Sequence, residues 1–204
     1  DIFDITIVEG NPVKQSEEDL LKDLRSKTKV LIALGACAIT GGIPSMINEV
    51  QRSKIAEKIY GKGYSPQSIS TKPISSIVKI DCFIPGCPAD ISQIEQTLTD
   101  LYFDKTPTID PYPVCLECKS KENKCLLLEG KPCLGPVTQG GCKAACPSGG
   151  LNCYGCWGPM KDANLKALYN VYKRDLKWSE DRTKKNLELF WKDLEEYKKS
   201  DKHH

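Results

Sequence analysis

Residues Lys29–Pro44 read KVLIALGACAITGGIP, a continuous apolar run that halts at Gly35 and passes into a loop of small residues. A run of this length without polar alternation predicts a strand buried on both faces of a parallel sheet. On its N-terminal side, Ile2–Val8 (IFDITIV) is β-branched and aromatic and stops at Glu9-Gly10. Ser16-Glu17-Glu18-Asp19 follows, with Ser16 as N-cap of a helix whose apolar stripe is Leu20, Leu21 and Leu24. On the C-terminal side, Pro44 opens a helix with Met46, Ile47, Val50, Ile55 and Ile59 facing inward. A third strand, about 77–84, ends at Pro85-Gly86, and Pro88 opens a helix carrying Ile91, Ile94, Leu98 and Leu101. Strands alternating with helices predict an α/β fold with a doubly wound parallel sheet, and right-handed crossovers put every βα loop on one edge.

That edge is where open α/β sheets place their ligands, and it carries two cysteines. Cys37 sits in GACAITGGIP and Cys87 in IPGCP, in loops whose glycines and prolines let backbone approach a bulky group. Two buried, inert thiols are the alternative reading. Cys82, inside its strand, reads as packing alone. A four-thiolate cluster at this edge needs two further ligands, and the loop after the first strand, 9–15, has no Cys. The expectation is that the missing pair belongs to sequence upstream of Asp1, so that the first domain is truncated at its N-terminus.

The chain has 204 residues and a net charge of +2, which leaves no footprint for nucleic acid or an anionic membrane. No run of about eighteen apolar residues marks a transmembrane helix. Of 11 Cys, eight fall between Cys115 and Cys156. The odd count, the Lys/Glu-rich surface and the α/β first half point to a reducing cytoplasmic compartment, where thiolates meet metals rather than each other.

Pro107, Pro111 and Pro113 in TPTIDPYPVC mark a linker into this block. CLECKSKENKC, PCLGP and GCKAACPSGGLNCYGC then sort into two sets of four: Cys115, Cys118, Cys125 and Cys133, followed by Cys142, Cys146, Cys153 and Cys156. Zinc competes for such sites, since C-x-x-C is its commonest half-site. Four cysteines at irregular spacing lie between the two C-x-x-C pairs, and Cys146-Pro147 matches the Cys-Pro ending of ferredoxin runs, which favours iron–sulfur. The only histidines, His203 and His204, stand at the terminus and serve neither set.

Taken together, GACAITGGIP, IPGCP, CLECKSKENKC, PCLGPVT, GCKAACPS and CYGCWGP resemble the small subunit of cytoplasmic [NiFe] hydrogenases, of the sulfhydrogenase delta, F420-reducing and methyl-viologen-reducing types, over about residues 2–160. The resemblance implies a flavodoxin-like parallel sheet domain at 1–106, a loop-rich, ferredoxin-like domain with two [4Fe-4S] clusters at 107–160, and a helical C-terminal tail at 161–204. It implies a proximal cluster on Cys37 and Cys87, a medial one on Cys142, Cys146, Cys153 and Cys156, and a distal one on Cys115, Cys118, Cys125 and Cys133. Two clusters would be complete and a third partly held by this chain, because the family's N-terminal C-x-x-C pair is absent. The implied role is non-catalytic: to relay electrons between a nickel-bearing large subunit and an acceptor subunit of flavin or ferredoxin type. The alternatives are a zinc-stapled interaction module and the small subunit of a related quinone oxidoreductase.

In the tail, Leu165, Leu168, Tyr169, Tyr172 and Leu176 form one helical stripe, and Leu187, Phe190, Trp191, Leu194 and Tyr197 a second. Ser179-Glu180-Asp181 starts the second helix and Lys198-Lys199 stands near its end. An ordinary amphipathic helix packs back on its own chain; a partner subunit is the other candidate for this face.

Overall fold

The computed structural model describes residues 2–49, 52–109 and 111–191. Val50, Leu194, Tyr197, Lys198, Lys199, His203 and His204 lie outside the described residues. The first half is mixed α/β around a small parallel sheet. Strand β1 (Phe3–Glu9) pairs with β2 (Thr28–Leu34), and β2 with β3 (Cys82–Ile84), in the order β1-β2-β3. The register sets Ile7 beside Ile32 and Val8 beside Ala33; Ile32 meets Cys82 on the other side.

The expected alternation holds, with shifted boundaries. Helix α1 (Gln15–Ser26) begins before Ser16, because Glu17 Oε2 accepts the Val13 and Lys14 N–H groups at 2.7 and 3.1 Å and so caps the turn from inside. Its Leu21 is buried while Leu20 is exposed. Beyond β2, the short helix α2 (Gly35–Thr40) carries Cys37. The segment after Pro44 departs from the expected single α-helix: Ile43–Glu49 is a 3-10 helix, and α3 (Arg52–Tyr60) follows it. Three residues per turn in place of 3.6 scatters the apolar stripe. Met46, Ile47, Ile55 and Ile59 are exposed, and Ala56 is the buried residue of α3.

The third strand is shorter than 77–84. A 3-10 turn at Ile74–Ser76 continues to a Val78 N–H bonded to Ile74 O at 3.0 Å, so only Cys82–Ile84 reaches the ladder. Ile77, Val78 and Ile80 pack instead beside Leu21, Leu31, Ala33, Ala38 and Ile74, the core on one face of the sheet. Asp81 pins this junction by accepting the Leu31 N–H at 2.8 Å and an Arg25 N–H at 2.5 Å. Helix α4 (Ile91–Tyr102) is capped by the Asp90 side chain and meets β3; Ile91 is exposed, and Thr97 is the buried position. The sheet is less covered than a doubly wound one. Phe3, Ile5 and Ile7 of β1 remain 44%, 38% and 41% exposed.

The cysteine block has little regular structure. Helix α5 (Val114–Ser120), the single turn α6 (Ala145–Ser148) and antiparallel bridges at Pro113/Gln139 and Thr138/Pro159 hold it. Its core is completed by the tail. Helices α7 (Leu165–Asp175) and α8 (Glu180–Leu187), with the residues after them, bury Leu168, Tyr172, Leu187, Phe190 and Trp191 against Val114, Leu126, Leu134 and Val137. The described part of the tail, through Trp191, therefore packs on its own chain. Trp191 donates its indole N–H to Gly155 O at 2.6 Å. Gly155 has φ +86°, and a Cβ there would lie 2.7 Å from the Trp191 ring, so both backbone conformation and space demand glycine.

Candidate functional site

Eleven cysteines are free of disulfides, and ten of them converge on the carboxyl edge of the sheet or on the block beyond it. Cys37 stands in α2, where the chain leaves β2. Gly42, at φ +54°, passes so close that a Cβ would sit 2.9 Å from the Cys37 Sγ. Cys87 follows β3 in a turn closed by a Gly86/Ala89 bridge, and the Ala36 N–H donates to Gly86 O at 2.8 Å. The two loops are thereby stitched together, as a shared sheet edge requires. Burial, then the neighbouring Cys87 and Glu9, push the Cys37 thiol up. Cys82 lies elsewhere, beside Asp4, Ile5, Lys29 and Val30, and burial followed by Asp81 raises it.

The first set gathers around α5. Cys115 and Cys118 share one face of the helix at i, i+3, and the electrostatic neighbours of Cys115 are Cys133, Cys118 and Cys125. A side chain at Gly135 would lie 3.3 Å from Cys115 Sγ and 3.5 Å from Cys133 Sγ. The second set lines a cavity of about 350 Å³, whose wall includes Cys142, Cys146, Cys153, Cys156, Thr138, Trp157 and Phe190. Cys87 of the first half joins that wall, and its N–H points at Cys156. Sequence spacing paired Cys87 with Cys37 alone; the fold sets it between Cys37 and the second set.

Low polarity dominates the thiol chemistry. Burial, then the other sulfurs of the set, push Cys115 up to about 12. Burial likewise pushes Cys153 up to about 12, against the Thr138 hydroxyl and the Gly155 N–H, and Cys156 up to about 11, against the Cys87 N–H. Cys133 is raised by burial, and Cys142 by burial and then Glu117. Among the described residues, no group of three or more Cys, His, Asp or Glu is placed so that it could hold a metal ion. This corrects the expectation of [4Fe-4S] clusters, two complete and a third partly held. Spacing reports which cysteines meet, not the geometry in which they meet.

Several residues of the site carried no signal in the sequence. Tyr172 of α7, fully buried, accepts the Cys133 N–H on its hydroxyl at 2.8 Å and packs edge-on against Trp178 at 5.3 Å. Glu117, between the cysteines of CLEC, accepts the Gly141 and Ala144 N–H groups of the second set's loop. Lys143 of that loop reaches Asp90 and Ser92 at the start of α4. The i+2 position of Glu117 within C-x-x-C was legible, but its partners twenty-four to twenty-seven residues away were not.

Comparison with known proteins decides the lineage. Residues 2–101 match the family described as NADH ubiquinone oxidoreductase, 20 Kd subunit. The sulfhydrogenase 2 subunit delta of Pyrococcus furiosus is 42% identical over 177 residues, 85% of this chain and 73% of that protein. The chain belongs to the small-subunit family of [NiFe] hydrogenases. A second relative, a vhu subunit of the F420-non-reducing hydrogenase of Methanocaldococcus jannaschii, is 33% identical over 76% of this chain and 65% of its own length. The actinobacterial-type NiFe-hydrogenase of Ralstonia eutropha H16 shares the fold, with a TM-score of 0.55 at 15% identity over 98% of this chain and 70% of that one. Family membership makes the chain a non-catalytic subunit of an oxidoreductase complex. Among the described residues no helix is long and apolar enough to cross a membrane.

Proposed function

We propose that this chain is the electron-relay subunit of a [NiFe] hydrogenase complex. A nickel-bearing large subunit would split H2 into two protons and two electrons, and an acceptor subunit of flavin or ferredoxin type would receive the electrons. The observation that carries the reading is the placement of Cys87, which adjoins Cys37 on the sheet edge and also lines the cavity of the second cysteine set. It brings the loop that carries Cys87 in the first half directly against the second cysteine set. Cys37 and Cys87, Cys115, Cys118, Cys125 and Cys133, and Cys142, Cys146, Cys153 and Cys156 are the residues on which the relay depends. The division at 1–106, 107–160 and 161–204, and a cytoplasmic location, belong to the same proposal.

The quinone oxidoreductase reading draws on the family matched by residues 2–101. That match stops before the cysteine block, whereas the hydrogenase delta relative covers 85% of the chain, which favours the relay of a hydrogenase. The test uses the assembled complex. Hydrogen isotope exchange reads the large subunit alone, and H2-dependent reduction of a viologen dye reads the relay. Cys118→Ser and Cys146→Ser should each cut dye reduction by about tenfold or more, roughly 1.4 kcal/mol in the barrier, while isotope exchange is retained. Dye reduction at the wild-type rate in both variants would remove the relay from this chain.

A further inference from the structure

The two cysteine sets are joined by one side chain. Glu117 leaves α5 between Cys115 and Cys118, and both its oxygens land on the loop that begins the second set. Oε1 accepts the Gly141 N–H at 2.9 Å and faces the Tyr112 hydroxyl at 3.3 Å. Oε2 accepts the Ala144 N–H at 3.0 Å, with the Cys142 thiol 3.8 Å away. The loop is bent to present these groups. Gly141, Lys143 and Ala144 have φ of +123°, +57° and +47°, and the last two are left-handed without being glycine. Successive N–H groups in such a conformation form a concave nest for an anion, and here the anion is a carboxylate of the protein itself. Left-handed Lys and Ala are unfavourable unless their surroundings hold them there. Two charge-assisted hydrogen bonds accepted by Glu117 supply that hold. Lys143, turned outward by the same bend, reaches Asp90 at 3.7 Å and Ser92 at 3.1 Å, and Lys121 donates to Lys143 O at 2.6 Å.

We infer that Glu117 is the positioning residue that registers the second cysteine set against the first. Its backbone is covalently part of the first set's helix, its carboxylate fixes the conformation of Gly141–Ala144, and Cys142 lies inside that span. The consequence for electron flow rests on the relay reading; the positioning itself does not.

The experiment compares Glu117→Ala and Glu117→Gln in the complete complex by residue-resolved amide hydrogen exchange, alkylation of Cys142, and the dye and isotope assays. In Glu117→Ala, exchange at Gly141 and Ala144 should rise about tenfold, the scale of one lost charge-assisted hydrogen bond, and Cys142 alkylation should quicken. The Lys131 N–H, bonded to Leu126 O at 2.9 Å, is the unaffected reference. Glu117→Gln keeps one acceptor oxygen and turns an NH2 toward the other partner, so one of the two amides should stay slow while the other opens. General loosening would not produce that split. Dye reduction should fall about tenfold in Glu117→Ala with isotope exchange unchanged, and Glu117→Gln should recover part of it. Unchanged exchange at Gly141 and Ala144 in both variants would overturn the positioning role, and full dye reduction in a variant whose loop has opened would overturn its consequence for electron flow. If Glu117→Ala does not fold, the Gln variant decides alone by the same two readouts. A wild-type complex that passes no electrons to dye would count against the relay, while the exchange data still decide the role of Glu117.

Discussion

The sheet region and the cysteine block reach burial by different routes. The first has strands, helices and a parallel ladder, yet leaves Phe3, Ile5 and Ile7 exposed on β1, and Ile43, Met46, Ile55 and Ile59 exposed around α3. The second is largely loops and single turns, yet encloses Val114, Leu134, Val137, Tyr172 and Trp191 almost completely. Backbone hydrogen bonds alone do not close a core. The block is closed by side chains brought from a distant part of the sequence, which lets its loops be shaped by where the thiols must go.

If that contrast is right, the largest loss should follow from cutting the tail's hold. Trp191→Ala removes a fully buried indole and its bond to Gly155 O, and should cost about 3–5 kcal/mol in chemical denaturation. Gly155→Ala should approach that value through the clash with the same ring. Loss of less than about 1 kcal/mol in both would mean the tail is not what closes the block.

A second substitution asks whether the regions melt apart. Leu31→Ala empties the sheet core and should cost about 2–5 kcal/mol. All three tryptophans, Trp157, Trp178 and Trp191, lie in the block and tail. Tryptophan fluorescence should therefore keep its midpoint in Leu31→Ala while the far-ultraviolet circular dichroism of the sheet region shifts to lower denaturant. A shared shift in both signals would show one cooperative unit and break the comparison.

The next effect is smaller. Tyr172→Phe leaves the Cys133 N–H without its acceptor at a buried site, worth about 1–3 kcal/mol. The fluorescence midpoint should move and the sheet signal should not. Smallest of all, Ile59→Ser on the exposed face of α3 should change stability by no more than about 0.5 kcal/mol. A larger cost there would mean that the face is covered in solution.

The order of strands and helices was legible because KVLIAL and the flanking alternation follow from local burial, and each element needs only its neighbours in sequence. The convergence of the cysteines was legible from spacing. What escaped depended on distant partners. Whether Ile55 or Ala56 faces inward turns on a 3-10 segment that precedes them, and periodicity assumes one helix type throughout. Glu117 and Tyr172 act on backbone N–H groups more than twenty residues away, which no local pattern encodes. The spacing of CLECKSKENKC likewise brought thiols together without fixing the geometry in which they meet, because that depends on loops and helices contributed from elsewhere in the chain.

The wedge of Trp191 beneath the loop at Gly155 also sets an order in time. Thirty-five residues separate Cys156 from Trp191. At a synthesis rate of about 5–20 residues per second, the last cysteine of the block is made roughly 2–7 seconds before Trp191, and the others earlier still. Throughout that interval the loop at Gly155 lacks the indole that packs under it. The order in which the block acquires its last packing partner is thus written as a distance along the sequence.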